Sequence, residues 1–315
     1  MNVDPTRQFA ADIRAGLASG VRKSLPPTYF YDNLGSALFD AITLLPEYGL
    51  TRSDRRLLQL HAEDLIRLSG RPRLIAELGS GSGSKTRFLL ETVGNRGTVY
   101  CPIDVSRSAL AKCEFELKDL ANVEIRPIED SYLPGLRRVT QLRQAEDCLL
   151  LLFLGSTIGN FSPEECRKFC RGVREILKPG DVFLVSTDIE KETTLTLAAY
   201  DDALGVTAAF NRNLLVRINR ELRANFDISK FRHAAVYDAN ARRIEMHLVS
   251  ETDQRVVIDG DFIVHFAAGE TIWTESSYKF RTEDLVELAD ATGFRCETQW
   301  LDQTWRFAQS VFRAI

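Results

Sequence analysis

Glu77-Leu78-Gly79-Ser80-Gly81-Ser82-Gly83-Ser84-Lys85-Thr86 is the stretch on which the reading of this chain turns. It follows a short apolar run, Leu74 to Leu78, that reads as a strand, and it leads into Lys85 to Val93, which reads as a helix. Glycines in such a turn allow positive φ and let a ligand approach bare backbone, while the N–H groups at the helix start stay open to polar atoms. A dinucleotide-binding GxGxxG turn would place its third glycine one position beyond Gly83 and would serve a pyrophosphate. That glycine register disfavours a nicotinamide oxidoreductase, and here an acid, Glu77, precedes the turn.

Working outward, strands and helices alternate. Thr98 to Ile103 is a second strand, Arg107 to Leu120 a helix, Val123 to Ile128 a third strand and Cys148 to Leu154 a fourth. Pro163 to Leu177 reads as a further helix and Val182 to Thr187 as the next strand. The unbroken apolar character of Cys148 to Leu154 marks a strand covered on both faces, as in a parallel sheet between helix layers. The expected fold class is therefore α/β, a Rossmann-like sheet with helices on both faces.

The alternation stops near residue 190. Leu214 to Asn225 reads as a helix, and Ala234 to Asp238, Arg243 to Ser250, Gln254 to Ile258 and Phe262 to Ala267 read as an antiparallel meander. A helix over Thr282 to Thr292 and the segments CETQWLD and WRFAQSVFRAI then return to the first pattern. Before residue 70 the chain reads as helical, with ADIRAGLASGV up to Val21 and ALFDAITLL carrying apolar residues at i, i+3 and i+4 around an aromatic turn, Pro26 to Asp32. This predicts a main domain from 61–190 and 269–315, an inserted α+β substrate-binding domain at 191–268, and N-terminal helices (1–60) packed with the insert.

The 315 residues are 44% apolar and 27% charged, with 40 Lys+Arg against 44 Asp+Glu, a net charge of −4. That balance builds no field for phosphate backbones, so nucleic acid is not an expected partner. The longest apolar run, of about eight residues, is too short to span a membrane. MNVDPTRQFAADIRAG has acids and no apolar core, unlike a secretory signal. The six cysteines form no CxxC and the four histidines no HxH or HExxH, so reduced structural thiols, a cytoplasmic location and no metal are expected.

Three polar residues sit where ligands of open α/β sheets collect, beyond the carboxyl ends of the strands. Asp104 ends the second strand and is placed to accept two ribose hydroxyls. Asp130 follows the third and can receive an adenine amino group. Asn160 lies in the loop after the fourth, either as an ordinary turn residue or as a neutral substrate ligand. With the ExGxGxG turn, this arrangement resembles that of S-adenosylmethionine-dependent methyltransferases. The polar-Pro-Pro-aromatic loop of DNA and glutamine N-methyltransferases is absent.

A narrower resemblance covers essentially the whole chain. Pro26-Pro27 with Tyr29-Phe30-Tyr31-Asp32, Leu45-Pro46-Glu47-Tyr48, the turn at 77–81, Phe153 to Asn160, Ala199 to Asp202, Phe210 to Asn213, Ile244-Glu245-Met246 and Thr274 to Phe280 resemble the histidine-specific Nα-methyltransferases of ergothioneine biosynthesis. The resemblance implies a two-domain enzyme of the class I methyltransferase type. It would convert L-histidine, through its mono- and dimethyl forms, to the Nα-trimethyl betaine hercynine, with S-adenosyl-L-methionine as methyl donor. It further implies that Asn160 and Tyr200 hold the substrate carboxylate, that Tyr31 and Tyr48 surround the α-amino group, and that Gly155 is among the substrate-binding residues. Glu275 and Ser277 would bind the imidazole with Met246 beside the ring, and Gly79, Ser80, Gly81, Lys85, Asp104 and Asp130 would contact the methyl donor. A monomer is expected. The chain departs from the family pattern at Gly49, where a second Tyr often follows Tyr48, and at Ser84, where Glu is expected.

Imidazole offers one N–H to a carboxylate and a second polar nitrogen to a hydroxyl, which suits a Glu and a Ser at i, i+2 on a strand. A pocket built that way penalises a side chain that leaves the carboxylate unpaired. The competing readings are a sister enzyme acting on another amino acid such as tryptophan, a binding protein without catalysis, and, for Glu275 alone, a surface acid near Lys279.

Overall fold

The computed structural model describes residues 5–20, 22–94, 97–144 and 147–315. Val21, the end of the first expected helix, and residues 1–4 lie outside them; that helix runs over Pro5–Leu17. The chain divides into two compact units, Met1–Tyr48 with Lys191–Ser277, and Gly49–Glu190 with Tyr278–Ile315. The boundaries expected at 60 and 268 thus fall at 48 and 277, and packing explains both changes. The helix Leu50–Leu68 sinks Leu58, Ala62, Leu65 and Ile66 into the apolar layer formed by Ile75, Tyr100, Leu150 and Leu184. The strand Thr271–Tyr278 instead lies between Lys23–Ser24 and Arg243–Ser250.

Among the described residues, the larger unit holds an eight-stranded sheet. Its order is Phe294–Asp302, Phe307–Ala314, Val182–Asp188, Leu149–Phe153, Leu74–Leu78, Thr98–Asp104 and Val123–Ile125, with Ile128–Glu129 also beside Thr98–Asp104. The strands from Val182–Asp188 through Val123–Ile125 run parallel, and Phe307–Ala314 is antiparallel to both its neighbours. The doubly covered character read from the apolar run is explicit. Leu149, Leu151 and Phe153 enter one core layer, and Leu150, Leu152 and Leu154 the other. The third strand is interrupted at Pro127, which has no N–H to give a ladder. The helix expected over Lys85 to Val93 is confined to Arg87–Leu90. A helix at Tyr132–Thr140, invisible to the periodicity argument, precedes the central strand. The last two segments form an antiparallel strand pair with no helix between them.

In the smaller unit the four-stranded sheet has the order Lys23–Ser24, Thr271–Tyr278, Arg243–Ser250, Phe231–Asp238. The expected meander is therefore corrected: Gln254–Ile258 and Phe262–Phe266 pair only with each other, as a separate hairpin. The expected helix Leu214 to Asn225 is Val206–Glu221. It starts earlier because the Asp202 carboxylate takes the otherwise orphaned N–H groups of Val206 and Thr207, at 2.9 and 2.7 Å.

Candidate active site

The glycine turn leaves Leu74–Leu78 at the point where the sheet order reverses. From this strand the chain continues to Thr98–Asp104 on one side, while Leu149–Phe153 flanks it on the other. Open α/β sheets bind ligands outside the carboxyl ends at such a point. Gly79, Gly81 and Gly83 all have positive φ, and a side chain on Gly83 would strike Cys113 Sγ. The Tyr132 ring lies 3.5 Å from where a Gly79 Cβ would be. Tyr132 was not anticipated from the sequence, and burial raises its hydroxyl to about 12.

Asp104 is seated as expected at the second strand's end. Its Oδ2 accepts the Gly81 N–H (3.2 Å) and its Oδ1 the Ser106 N–H (2.8 Å). Burial raises its carboxyl above the ordinary range, against the pull of those N–H groups. Each oxygen keeps acceptor capacity for a hydroxyl. Ser80 Oγ is buried without a hydrogen-bond partner. An orphaned hydroxyl, spare carboxylate lone pairs and side-chain-free backbone together fit a ligand bearing ribose hydroxyls, so these residues are compatible with S-adenosylmethionine. Asp130 is half-buried, with Oδ1 on the Ser131 N–H at 2.8 Å and Oδ2 3.4 Å from Arg138. Glu77 is engaged by the protein itself. It accepts from Thr86 Oγ1 and Tyr100 OH, and burial pushes it up to about 7.

Lys85 and Gly155 converge on a residue the sequence did not single out. Lys85 Nζ and the Gly155 N–H both lie 2.8 Å from Asp54 Oδ2. The loop beyond Gly155 is held by Ser156, whose Oγ accepts the Asp188 N–H at 2.8 Å, and it ends in the short turn Thr157–Asn160 that carries half-buried Asn160. Lys279 forms a buried ion pair with Asp188 at 3.0 Å.

The smaller unit assembles most of the residues expected to hold substrate. Tyr31, Tyr48 and Tyr200 form a chain of edge-on aromatic contacts: Tyr31 meets Phe39 at 5.7 Å, Phe39 meets Tyr48 at 6.2 Å, and Tyr48 meets Tyr200 at 6.4 Å. Tyr48 and Tyr200 are buried and Tyr31 is 36% exposed. The Tyr200 hydroxyl is 2.7 Å from Ser277 Oγ. Ser277 shares the strand Thr271–Tyr278 with half-buried Glu275, whose carbonyl accepts the Trp273 indole N–H at 2.8 Å. Met246 is buried on the adjacent strand, and its carbonyl accepts from Thr274 Oγ1 at 3.0 Å. Asn160 and Gly155 belong to the other unit.

Gly49 has an ordinary φ of −75°. Its peculiarity is space, since a Cβ there would lie 2.2 Å from the Trp305 ring. Trp305 thus fills the room a larger residue at this position would need. Ser84 is exposed, within reach of Ser82 at 3.3 Å.

A doubly wound sheet closed by an antiparallel strand pair, with an acid-led glycine turn at its reversal and a carboxylate after the neighbouring strand, defines a Rossmann-like, S-adenosylmethionine-dependent methyltransferase fold. Residues 9–314 match the model of the histidine-specific, SAM-dependent methyltransferase family, and the chain belongs to that family. It is 41% identical over 305 residues to the histidine N-alpha-methyltransferase of Mycolicibacterium smegmatis, covering 95% of this chain and 93% of the relative. It is 38% identical to the protein of the same name from Mycobacterium tuberculosis, with the same coverage of both. The ergothioneine biosynthesis protein 1 of Schizosaccharomyces pombe is 27% identical over 289 residues, 89% of this chain and 37% of that longer protein.

Proposed function

We propose that this enzyme methylates the α-amino nitrogen of L-histidine three times in succession, using S-adenosylmethionine, to give hercynine as the first step of ergothioneine biosynthesis. Family membership and the names of the relatives support the reaction. The observation that carries the substrate is the strand Thr271–Tyr278, which bears half-buried Glu275 and, two residues on, buried Ser277, whose hydroxyl meets that of Tyr200. It supplies a hydroxyl and a carboxylate at the spacing an imidazole can use together. We read the enzyme further as a cytoplasmic monomer needing no metal, nucleic acid or membrane.

When bound, the methyl donor supplies an electrophilic methyl on a sulfonium. The chain's residues have the remaining task, which is chiefly positioning. Gly79, Ser80, Gly81, Lys85, Asp104 and Asp130 are assigned to the donor. Glu275 and Ser277 fix the imidazole, Met246 packs beside it, and Tyr200 is assigned to the carboxylate end. Tyr31 and Tyr48 face the amine, whose proton must leave before each transfer, to a tyrosine or a relayed water. Their rings also suit the growing positive methylammonium, which is attracted to aromatic faces.

The test is mass spectrometry of products after incubating the protein with S-adenosylmethionine and an equal mixture of the proteinogenic amino acids. Trimethylated histidine as the accumulating product is expected. Methylation of tryptophan or another amino acid would keep the fold and donor and overturn the imidazole assignment; binding of the donor without methylation of any amino acid would overturn the assigned reaction.

A further inference from the structure

Asp54 lies in the helix Leu50–Leu68 and is fully buried. Its Oδ2 accepts from Lys85 Nζ and the Gly155 N–H, both at 2.8 Å, and its Oδ1 from Ser186 Oγ at 2.7 Å and Gln309 Nε2 at 2.8 Å. A carboxylate has about four acceptor sites, and all four are taken. Asp54 therefore has no lone pair left for a ligand or a proton in transit, and its influence must pass through its donors.

Two of those donors belong to the region assigned to ligands. Lys85 closes the glycine turn after Leu74–Leu78, and Gly155 opens the loop after Leu149–Phe153, the adjacent strand across the reversal of sheet order. A Cβ on Gly155 would sit 3.3 Å from Lys85 Nζ, so the lysine head lies against this backbone. The other two donors, Ser186 and Gln309, are wholly buried on the next two strands and anchor the carboxylate from behind. An ammonium has three N–H groups, and the one given to Asp54 fixes where the other two can point.

We propose that Asp54 is a positioning residue for the methyl donor: it locks the Lys85 ammonium and the Gly155 backbone together across the reversal point, so that donor affinity depends on a side chain that never touches the donor. This rests on the reading that Lys85 contacts the donor. A lysine left mobile would lose rotamer freedom on each binding event, whereas the Asp54 contact holds it in place beforehand.

The experiment is a double-mutant cycle on the dissociation constant of S-adenosylhomocysteine, measured calorimetrically with wild type, Asp54→Asn, Lys85→Met and the double variant. Each single change is expected to weaken binding about tenfold, with the double variant no weaker than the worse single one. Losses that multiply would show Asp54 acting on the fold independently of Lys85 and overturn the proposal, as would unchanged affinity in a folded Asp54→Asn. If Asp54→Asn does not fold, Ser186→Ala replaces it. It loosens the carboxylate from behind and should weaken binding about threefold, an effect absent in the Lys85→Met background; persistence of the effect there overturns the proposal. Failure of wild type itself to bind S-adenosylhomocysteine would instead sink the functional reading.

Discussion

His233 Nε2 lies 2.8 Å from the main-chain carbonyl oxygen of Tyr200, and that carbonyl can only accept, so the ring nitrogen carries the proton. The far side of the ring agrees. Asn211 Nδ2 is 2.8 Å from His233 Nδ1 and 3.1 Å from the His247 carbonyl, which fixes its amide as the donor and Nδ1 as an acceptor. A neutral His233 thus holds the residue whose hydroxyl meets Ser277. His233→Leu is expected to raise the Michaelis constant for histidine about fivefold, with donor affinity unchanged. Initial rates with each ligand varied in turn check this.

The same ring predicts a pH dependence. Burial, more than any neighbouring charge, lowers His233 below its ordinary 6.5, and it lowers His247 likewise. The unfolded chain then binds the proton first, so the stability these rings contribute is complete above about pH 6.5 and is lost as pH falls through their folded values. Denaturant unfolding of both proteins between pH 7.5 and 5.5 should show wild type losing stability relative to His233→Gln as pH falls, since only wild type carries the His233 ring.

Separate ligand assignments predict separate kinetic signatures. Glu275→Ala should raise the Michaelis constant for histidine about tenfold to a hundredfold, the usual effect of losing a hydrogen bond to a charged group, and leave that for S-adenosylmethionine nearly unchanged. Asp104→Ala should do the reverse. Equal effects of either variant on both constants would contradict the assignment.

How far these residues could be read from the sequence depends on how local their physics is. The glycine turn, the doubly covered central strands and Asp104 are announced by neighbours in the chain, through periodicity and turn chemistry. Asp54 is not, because Thr51-Arg52-Ser53-Asp54-Arg55-Arg56 has the composition of a solvated first helical turn, and its partners lie at 85, 155, 186 and 309. The strand order in the smaller unit is hidden from the sequence for a related reason. Alternation identifies strands but not partners, and Arg243–Ser250 neighbours the distant Thr271–Tyr278 instead of the hairpin that follows it. His233 and Asn211 likewise carry no local mark, since each reads as one polar residue on a buried face.

The departure at Gly49 is a packing compensation that can be reversed. Gly49→Ala would push a methyl into the Trp305 ring and should cost about 1–3 kcal/mol, the range for overpacking a filled site. Gly49→Tyr should cost more by itself and recover much of the loss when combined with Trp305→Ala. Denaturant midpoints of the four proteins test it; a Gly49→Tyr/Trp305→Ala protein no more stable than the Gly49→Tyr single variant would contradict the exchange.

Glu77 titrates inside the core beside the glycine turn. Burial dominates its shift from 4.5 to about 7, with the Thr86 and Tyr100 hydroxyls and Lys85 opposing it and Asp54 adding to it. Because the folded value is raised, the folded state holds this proton when the unfolded chain has released it. The associated stability is complete below about pH 4.5 and is lost as pH rises through about 7, amounting to about 3 kcal/mol at most. Glu77→Gln keeps an acceptor for Thr86 and Tyr100 and cannot ionise. Without ligand it should match wild type near pH 5 and exceed it by about 1–3 kcal/mol at pH 8. Unfolding free energies measured at both pH values decide the matter, and an equal gap between variant and wild type at pH 5 and 8 would show that Glu77 does not titrate in this range.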